Sequence, residues 1–305
     1  MLAFIFYSYM TKRLDFTLLF ISFILLMIGL MPSFLEYCGL FFLITLLIVG
    51  IPHGSLDHLI YLKHRAPIAD KRRFYSKYIA LIILVGVCWL IFPSLSFILF
   101  LFISGYHFGQ SQLYQIDVPS HFRFAYHLSW GMLLLTTIIL SNFTECLLIF
   151  KSLEWLQTQW ITETTLILTV AVSAVIFISI HTYLIVKGKM TTNQFFFEII
   201  VFTLLAVMSI MTNAVYTFTV YFGLWHSFRS LILEYETLKR NKNYNWFYFL
   251  KDVSPLSLMG IAFLFSAYAL STQFDLGISF YMIFIIIIST LTVPHLIVMN
   301  KLYSQ

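Results

Sequence analysis

Nine histidines are spread along the 305-residue chain, and five of them fall in four short strings whose residue types could do chemistry. His53 and His58 lie in Gly50-Ile51-Pro52-His53-Gly54-Ser55-Leu56-Asp57-His58. His107 lies in Gly105-Tyr106-His107-Phe108-Gly109-Gln110. His226 lies in Trp225-His226-Ser227-Phe228-Arg229-Ser230, and His295 in Val293-Pro294-His295-Leu296. Neutral imidazole is a common ligand for iron, zinc and copper. Several imidazoles brought to one point would make a metal site. The plainer reading is that each bonds a carbonyl or a serine on a neighbouring segment. That reading is preferred for a lone histidine, and the metal site for the group. His64 and His121 fall in polar stretches and read as solvated. His127 and His181 sit in apolar runs without a motif and read first as structural groups. Cys38, Cys88 and Cys146 form no close pair, which argues against a disulfide scaffold or a zinc knuckle.

The elements that must position these residues are set by composition. The chain is 60% hydrophobic and 10% charged, where soluble domains carry about 25% charged residues. Mean hydropathy is +0.91. Too few charges remain to cover a water-facing surface, and long apolar runs recur throughout. The expected fold is all-α, a polytopic transmembrane helical bundle forming a single integral membrane domain over 1–305. Ten spans are predicted near 14–31, 37–58, 77–92, 94–113, 122–141, 163–186, 194–211, 214–234, 253–271 and 277–299. Pro93 leaves open a kink in one long helix or a turn between two. Segment 142–160 has the character of an interfacial helix. The run after Lys12 and Arg13 has no small-residue cleavage site and reads as a signal anchor. With a cytoplasmic N-terminus, all of the 18 basic residues except Lys151 and Arg229 fall inside. This predicts cytoplasmic termini and a multi-pass protein of the cell (inner) membrane. The net charge of +5 then reports topology, not a nucleic-acid partner.

In this layout the second, fourth, eighth and tenth spans run from outside to inside. Each holds its histidine in the cytoplasmic half, so four distant segments place imidazoles at a similar depth. On an ideal helix His53 and Asp57 share a face, while His53 and His58 diverge by about 140°. Asp57 could therefore orient His53, or counter Arg229. Arg229 could equally snorkel to the surface. Gly54, Gly105 and Gly109 allow close helix approach or room for a ligand, with both uses equally open. Pro52 and Pro294 can kink their helices and free carbonyls near the site.

The strings Pro52-His53-Gly54-Ser55-Leu56-Asp57-His58, His107-Phe108-Gly109, His226-Ser227-Phe228-Arg229 and Pro294-His295 resemble the Brp/Blh family of membrane-bound β-carotene 15,15′-dioxygenases. The resemblance spans roughly residues 50–300, and the first string is the most specific. It implies cleavage of the central double bond of β-carotene by O₂ at non-haem Fe(2+), giving two molecules of retinal. It implies His53, His107 and His226 as iron ligands. The family motif has a second histidine four residues after the first on the eighth span, where this chain has Ser230. The fourth ligand is then His295, His58 or water. Beyond β-carotene, O₂ and the lipid bilayer, the product suggests an indirect link to a retinal-binding rhodopsin. The 33 Phe, 18 Tyr and 6 Trp could line a long apolar tunnel, although aromatics also fill membrane cores. Three other readings compete. One is a transporter or proton-conducting protein, whose polar relay would cross the full depth. Another is a di-iron desaturase, whose HxxxH boxes are lacking. The last is a non-catalytic carotenoid- or retinal-binding partner of a rhodopsin.

Overall fold

The computed structural model describes residues 2–63, 68–239 and 244–303. His64 and the basic residues Arg65, Arg240 and Lys242, expected on the inside, lie outside the described residues. Among those described there are helices and no strand. Helix α1 is Leu2–Gly29 and α2 is Cys38–Leu62, joined through the single turn Pro32–Leu35. Then come α3 (Ile68–Ile91), α4 (Pro93–Leu113), α5 (Ser120–Ser141) and α6 (Phe143–Lys151). Helices α7 (Glu163–Val186) and α8 (Thr192–Met211) follow. Helix α9 is built of Ala214–Val220, a π-helical stretch Tyr221–Phe228, and Arg229–Leu238; α10 is Trp246–Gln273 and α11 is Phe280–Tyr303.

Seven of these helices (α2, α3, α5, α7, α8, α10 and α11) are long and apolar enough to cross a membrane. They make the polytopic bundle. Helices α4 and α9 are not among the seven, and they carry His107 and His226. Their polar side chains point inward instead. Ser104, His107, Gln110, Ser111 and Gln112 are all buried on α4, as are His226, Arg229, Ser230 and Glu234 on α9. The outer surface is apolar. Phe16 and Phe20 on α1, Ile83 and Leu90 on α3, and Val172 and Val175 on α7 are all exposed. Such belts suit lipid and would be a large liability in water.

Local chemistry explains the breaks. Proline disfavours helical geometry in the residue before it. Phe92 accordingly leaves the helix (φ −131°, ψ 60°), and α4 starts at Pro93. Pro93 thus marks a turn between two helices. In segment 142–160, α6 and the chain after it bury Cys146, Phe150, Leu153 and Leu156, leaving Trp155 exposed. This stretch packs into the bundle through those four side chains.

Helices α4 and α5 cross closely because glycines meet at the crossing. A Cβ at Gly109 would collide with the His127 carbonyl, and one at Gly131 with the Gly105 carbonyl. Backbone cannot step aside as a side chain can. Gly109→Ala is therefore expected to destabilise the protein by about 1–3 kcal/mol, read as a lower thermal midpoint in detergent. The crossing fixes the depth of His107, two residues before Gly109.

Candidate metal centre

His53, His107, His226 and His295 meet inside the bundle, each buried and each from a different helix. On α2, Pro52 has no backbone N–H to continue the helical ladder. A π-helical stretch, Leu46–Gly50, precedes it, and the Ser55 hydroxyl donates back to the Pro52 carbonyl at 2.7 Å. The helix then turns at residues 55–56 and restarts at Asp57. On α9, His226 lies inside the π-helical stretch. Such stretches are rare and recur at functional sites, because they re-aim side chains out of the regular α-helical register.

The rings pack edge to face. Ring centroids are 4.6 Å apart for His53 and His295, 5.0 Å for His53 and His226, 4.8 Å for His107 and His226, and 5.1 Å for His107 and His295. His53 and His107 lie parallel across the centre, 6.5 Å apart. One ring nitrogen each from His53, His107 and His226 lie within 4.8 Å of one another. The His295 Nε2 sits 3.0 Å from the His53 Nε2.

Hydrogen bonding through Nδ1 favours the tautomer that leaves Nε2 as the lone pair on three of these rings. The His53 Nδ1–H donates to Glu234 Oε1 at 2.7 Å, and the His295 Nδ1–H to Asp57 Oδ1 at 2.7 Å. Ser111 donates its hydroxyl proton to the Phe108 carbonyl, so its oxygen accepts from the His226 Nδ1–H at 2.9 Å. In neutral imidazole a protonated Nδ1 leaves Nε2 as a lone pair. With Nδ1 protonated on both rings, the Nε2 atoms of His53 and His295 face each other as two acceptors, an arrangement that a cation between them would satisfy. His107 is buried, and neither of its ring nitrogens has a hydrogen-bond partner among the described residues. Leaving a buried polar group unpaired costs about 1–3 kcal/mol. A metal ion answers both features. Two imidazoles on one ion at bond lengths of about 2.1 Å place their nitrogens about 3.0 Å apart when the angle at the ion is near 90° and about 3.4 Å apart when it is tetrahedral. The donor set fits a borderline divalent ion such as iron or zinc.

Not every expected partner joins this centre. His58 turns away: its Nδ1–H donates to the Ser55 carbonyl at 3.2 Å, and its ring lies against Tyr75. Asp57 holds His295 rather than His53, because the turn at residues 55–56 interrupts the spacing on which a shared face depends. Asp57 also accepts from the Tyr78 hydroxyl at 2.7 Å. Arg229 neither reaches Asp57 nor snorkels. It is buried against Asp15 of α1 (Nε to Oδ1, 3.1 Å) and donates to the Gln112 carbonyl at 3.0 Å. Ser230 pairs with the Tyr303 hydroxyl at 2.9 Å. His181 bonds the Tyr126 hydroxyl and the Phe177 carbonyl, both at 3.0 Å, and is structural. Glu234, Ser111 and Asp15 were absent from the sequence reading. Glu234 and Asp15 were each visible there as an acid inside an expected span, which is a functional signal by default.

The imidazoles form one wall of a cavity of about 760 Å³. Its other walls are almost wholly apolar and include Phe97, Phe100, Phe108, Phe218, Phe222 and Phe284. Gly54 lines it too, and a Cβ there would meet nothing within 4 Å. Ile79 of α3 and Met259 and Phe263 of α10 line the same cavity and are also exposed on the outer surface. The cavity thus reaches the outer surface of the bundle between α3 and α10.

Residues 44–303 match the family model described as beta-carotene 15,15'-dioxygenase. The chain belongs to this β-carotene 15,15′-dioxygenase family. The match takes in all four histidine strings, so the family assignment and the buried imidazole cluster concern the same part of the molecule. No curated protein and no solved structure matches the chain. The family name points to a carotenoid as substrate, and the apolar cavity beside the cluster suits a lipid-soluble molecule.

Proposed function

We propose that the protein is a non-haem iron dioxygenase of the cell (inner) membrane that cleaves the central double bond of β-carotene with O₂. One C=C bond and one O=O bond break, two C=O bonds form, and the products are two molecules of retinal. Fe(2+) would be held by His53, His107, His226 and His295, with His295 serving where the family motif has a histidine in place of Ser230. The observation that carries this reading is the group of buried ring nitrogens of His53, His107 and His226, within 4.8 Å of one another on the wall of an apolar cavity, with the His295 Nε2 3.0 Å from that of His53.

When bound, iron supplies the redox chemistry that allows O₂ to react with an unactivated alkene. The chain's own residues do the rest. Glu234, Asp57 and Ser111 fix three imidazole rings by their Nδ1–H groups. The phenylalanine walls hold a rod-like polyene and exclude water. The opening between α3 and α10 lets a bilayer-dissolved substrate reach the centre sideways. A proton relay through the cavity is disfavoured, because its walls on that side of the imidazoles are apolar.

Expression in bacteria that make β-carotene tests the proposal. Loss of colour with accumulation of retinal is expected. Intact β-carotene, in cells whose membranes hold the protein, would favour a carotenoid-binding protein without catalysis.

A further inference from the structure

Two acids lie beside the imidazole cluster, and they come from different helices. Glu234 of α9 is fully buried, and Asp57 of α2 nearly so. Each spends one carboxylate oxygen on an imidazole Nδ1–H at 2.7 Å. The other Glu234 oxygen is buried and has no hydrogen-bond partner among the described residues. The guanidinium of Arg229 is engaged by Asp15. Two carboxyl groups thus stand in an apolar interior, where uncompensated charge is heavily penalised, so that holding both as carboxylates calls for a cation. Neutral imidazoles would offset none of it.

We infer that Glu234 and Asp57 are positioning residues that supply the counter-charge for a divalent cation. This inference rests on the metal-site reading above. Two carboxylates, four neutral imidazoles and one dication sum to zero, so the loaded centre can sit in a dry bundle without further ions. Each carboxylate also raises the basicity of the ring it holds and fixes that ring's angle. The pair favours a dication over a monovalent ion. It also explains why an acid stands eight residues after His226, buried, with half its carboxylate unused.

Binding of Co²⁺ to the purified, metal-free full-length protein in detergent tests this. The visible ligand-field bands of Co²⁺ report the ligands without reference to activity. Wild type is expected to bind one equivalent. Glu234→Gln keeps an oxygen acceptor but removes the charge, and is expected to weaken Co²⁺ binding about 10- to 100-fold. Asp57→Asn should act similarly, and the double variant should be weaker than either. The thermal midpoint of the metal-free protein separates this from a packing role. Relief of a buried charge should hold or raise that midpoint in Glu234→Gln, whereas a packing role would lower it. Wild-type affinity in Glu234→Gln, or a metal-free midpoint that falls with the affinity, would overturn the inference and leave the histidine site standing. Failure of wild type to bind Co²⁺ would overturn both.

Discussion

Replacement of His107 by alanine is expected to abolish both metal retention and β-carotene cleavage while leaving the protein folded in the membrane. The reason is the state of the ring. His107 is buried, and among the described residues its nitrogens serve no hydrogen bond that would account for burial. Its neighbours are the other imidazoles, with centroids 4.8 Å from His226 and 5.1 Å from His295. A histidine kept for packing would use one nitrogen on a carbonyl or hydroxyl, as His181 does with Phe177 and Tyr126. His53→Ala and His226→Ala should lose metal as well. They would also leave Glu234 or Ser111 without its imidazole partner, so their effects mix chemistry with stability. His107→Ala carries no such cost, and its thermal midpoint without metal should equal or exceed that of the wild type. His58→Ala should retain metal, because that ring bonds to Ser55 and faces Tyr75. Elemental analysis of the purified variants and retinal formation in membranes check these outcomes together.

Replacement of Arg229 by leucine should produce the largest loss of stability. Arg229 and Asp15 are buried together, with 6% and 12% of their side-chain surface exposed. Removing one member of such a pair leaves the other as an uncompensated charge, at a cost of about 3–5 kcal/mol. The guanidinium also holds the Gln112 carbonyl at the end of α4 and lies over the Tyr114 ring. Its loss should loosen the stretch that carries Ser111, and through it the angle of His226. A lower thermal midpoint and lower metal content are both expected. The double variant Arg229→Leu with Asp15→Leu should recover most of the midpoint, because no lone charge remains. A double variant as unstable as the single one would show that the contacts of Arg229 with α4, not its charge, dominate.

Much of this was legible in the sequence. The helical class followed from long apolar runs, and the four histidine strings marked the residues that meet. Turn chemistry explains where the reading went astray. The assignment of Asp57 to His53 assumed an unbroken α-helix, but Pro52 and Ser55 turn the chain between them. Asp57 instead reaches His295, which lies 238 positions away in the sequence. Glu234 was visible as an acid inside an expected span, but its place beside His53 was not, for a similar reason. The π-helical stretch through His226 changes the register of α9, so i, i+4 spacing does not report which side chains share the inner face. Arg229 drew attention to acids in its own motif set, whereas its partner stands on α1, outside every histidine string. Local spacing can place residues on one element, but it cannot say which distant element supplies the opposite charge.

X-ray absorption at the iron edge, on protein purified from iron-replete cells, tests the central claim most directly. About one iron per chain is expected, with nitrogen neighbours near 2.1 Å and the outer-shell scattering of several imidazoles. That pattern should vanish in His107→Ala. Protein that cleaves β-carotene while holding no transition metal, or iron whose neighbours lack imidazole, would contradict the account.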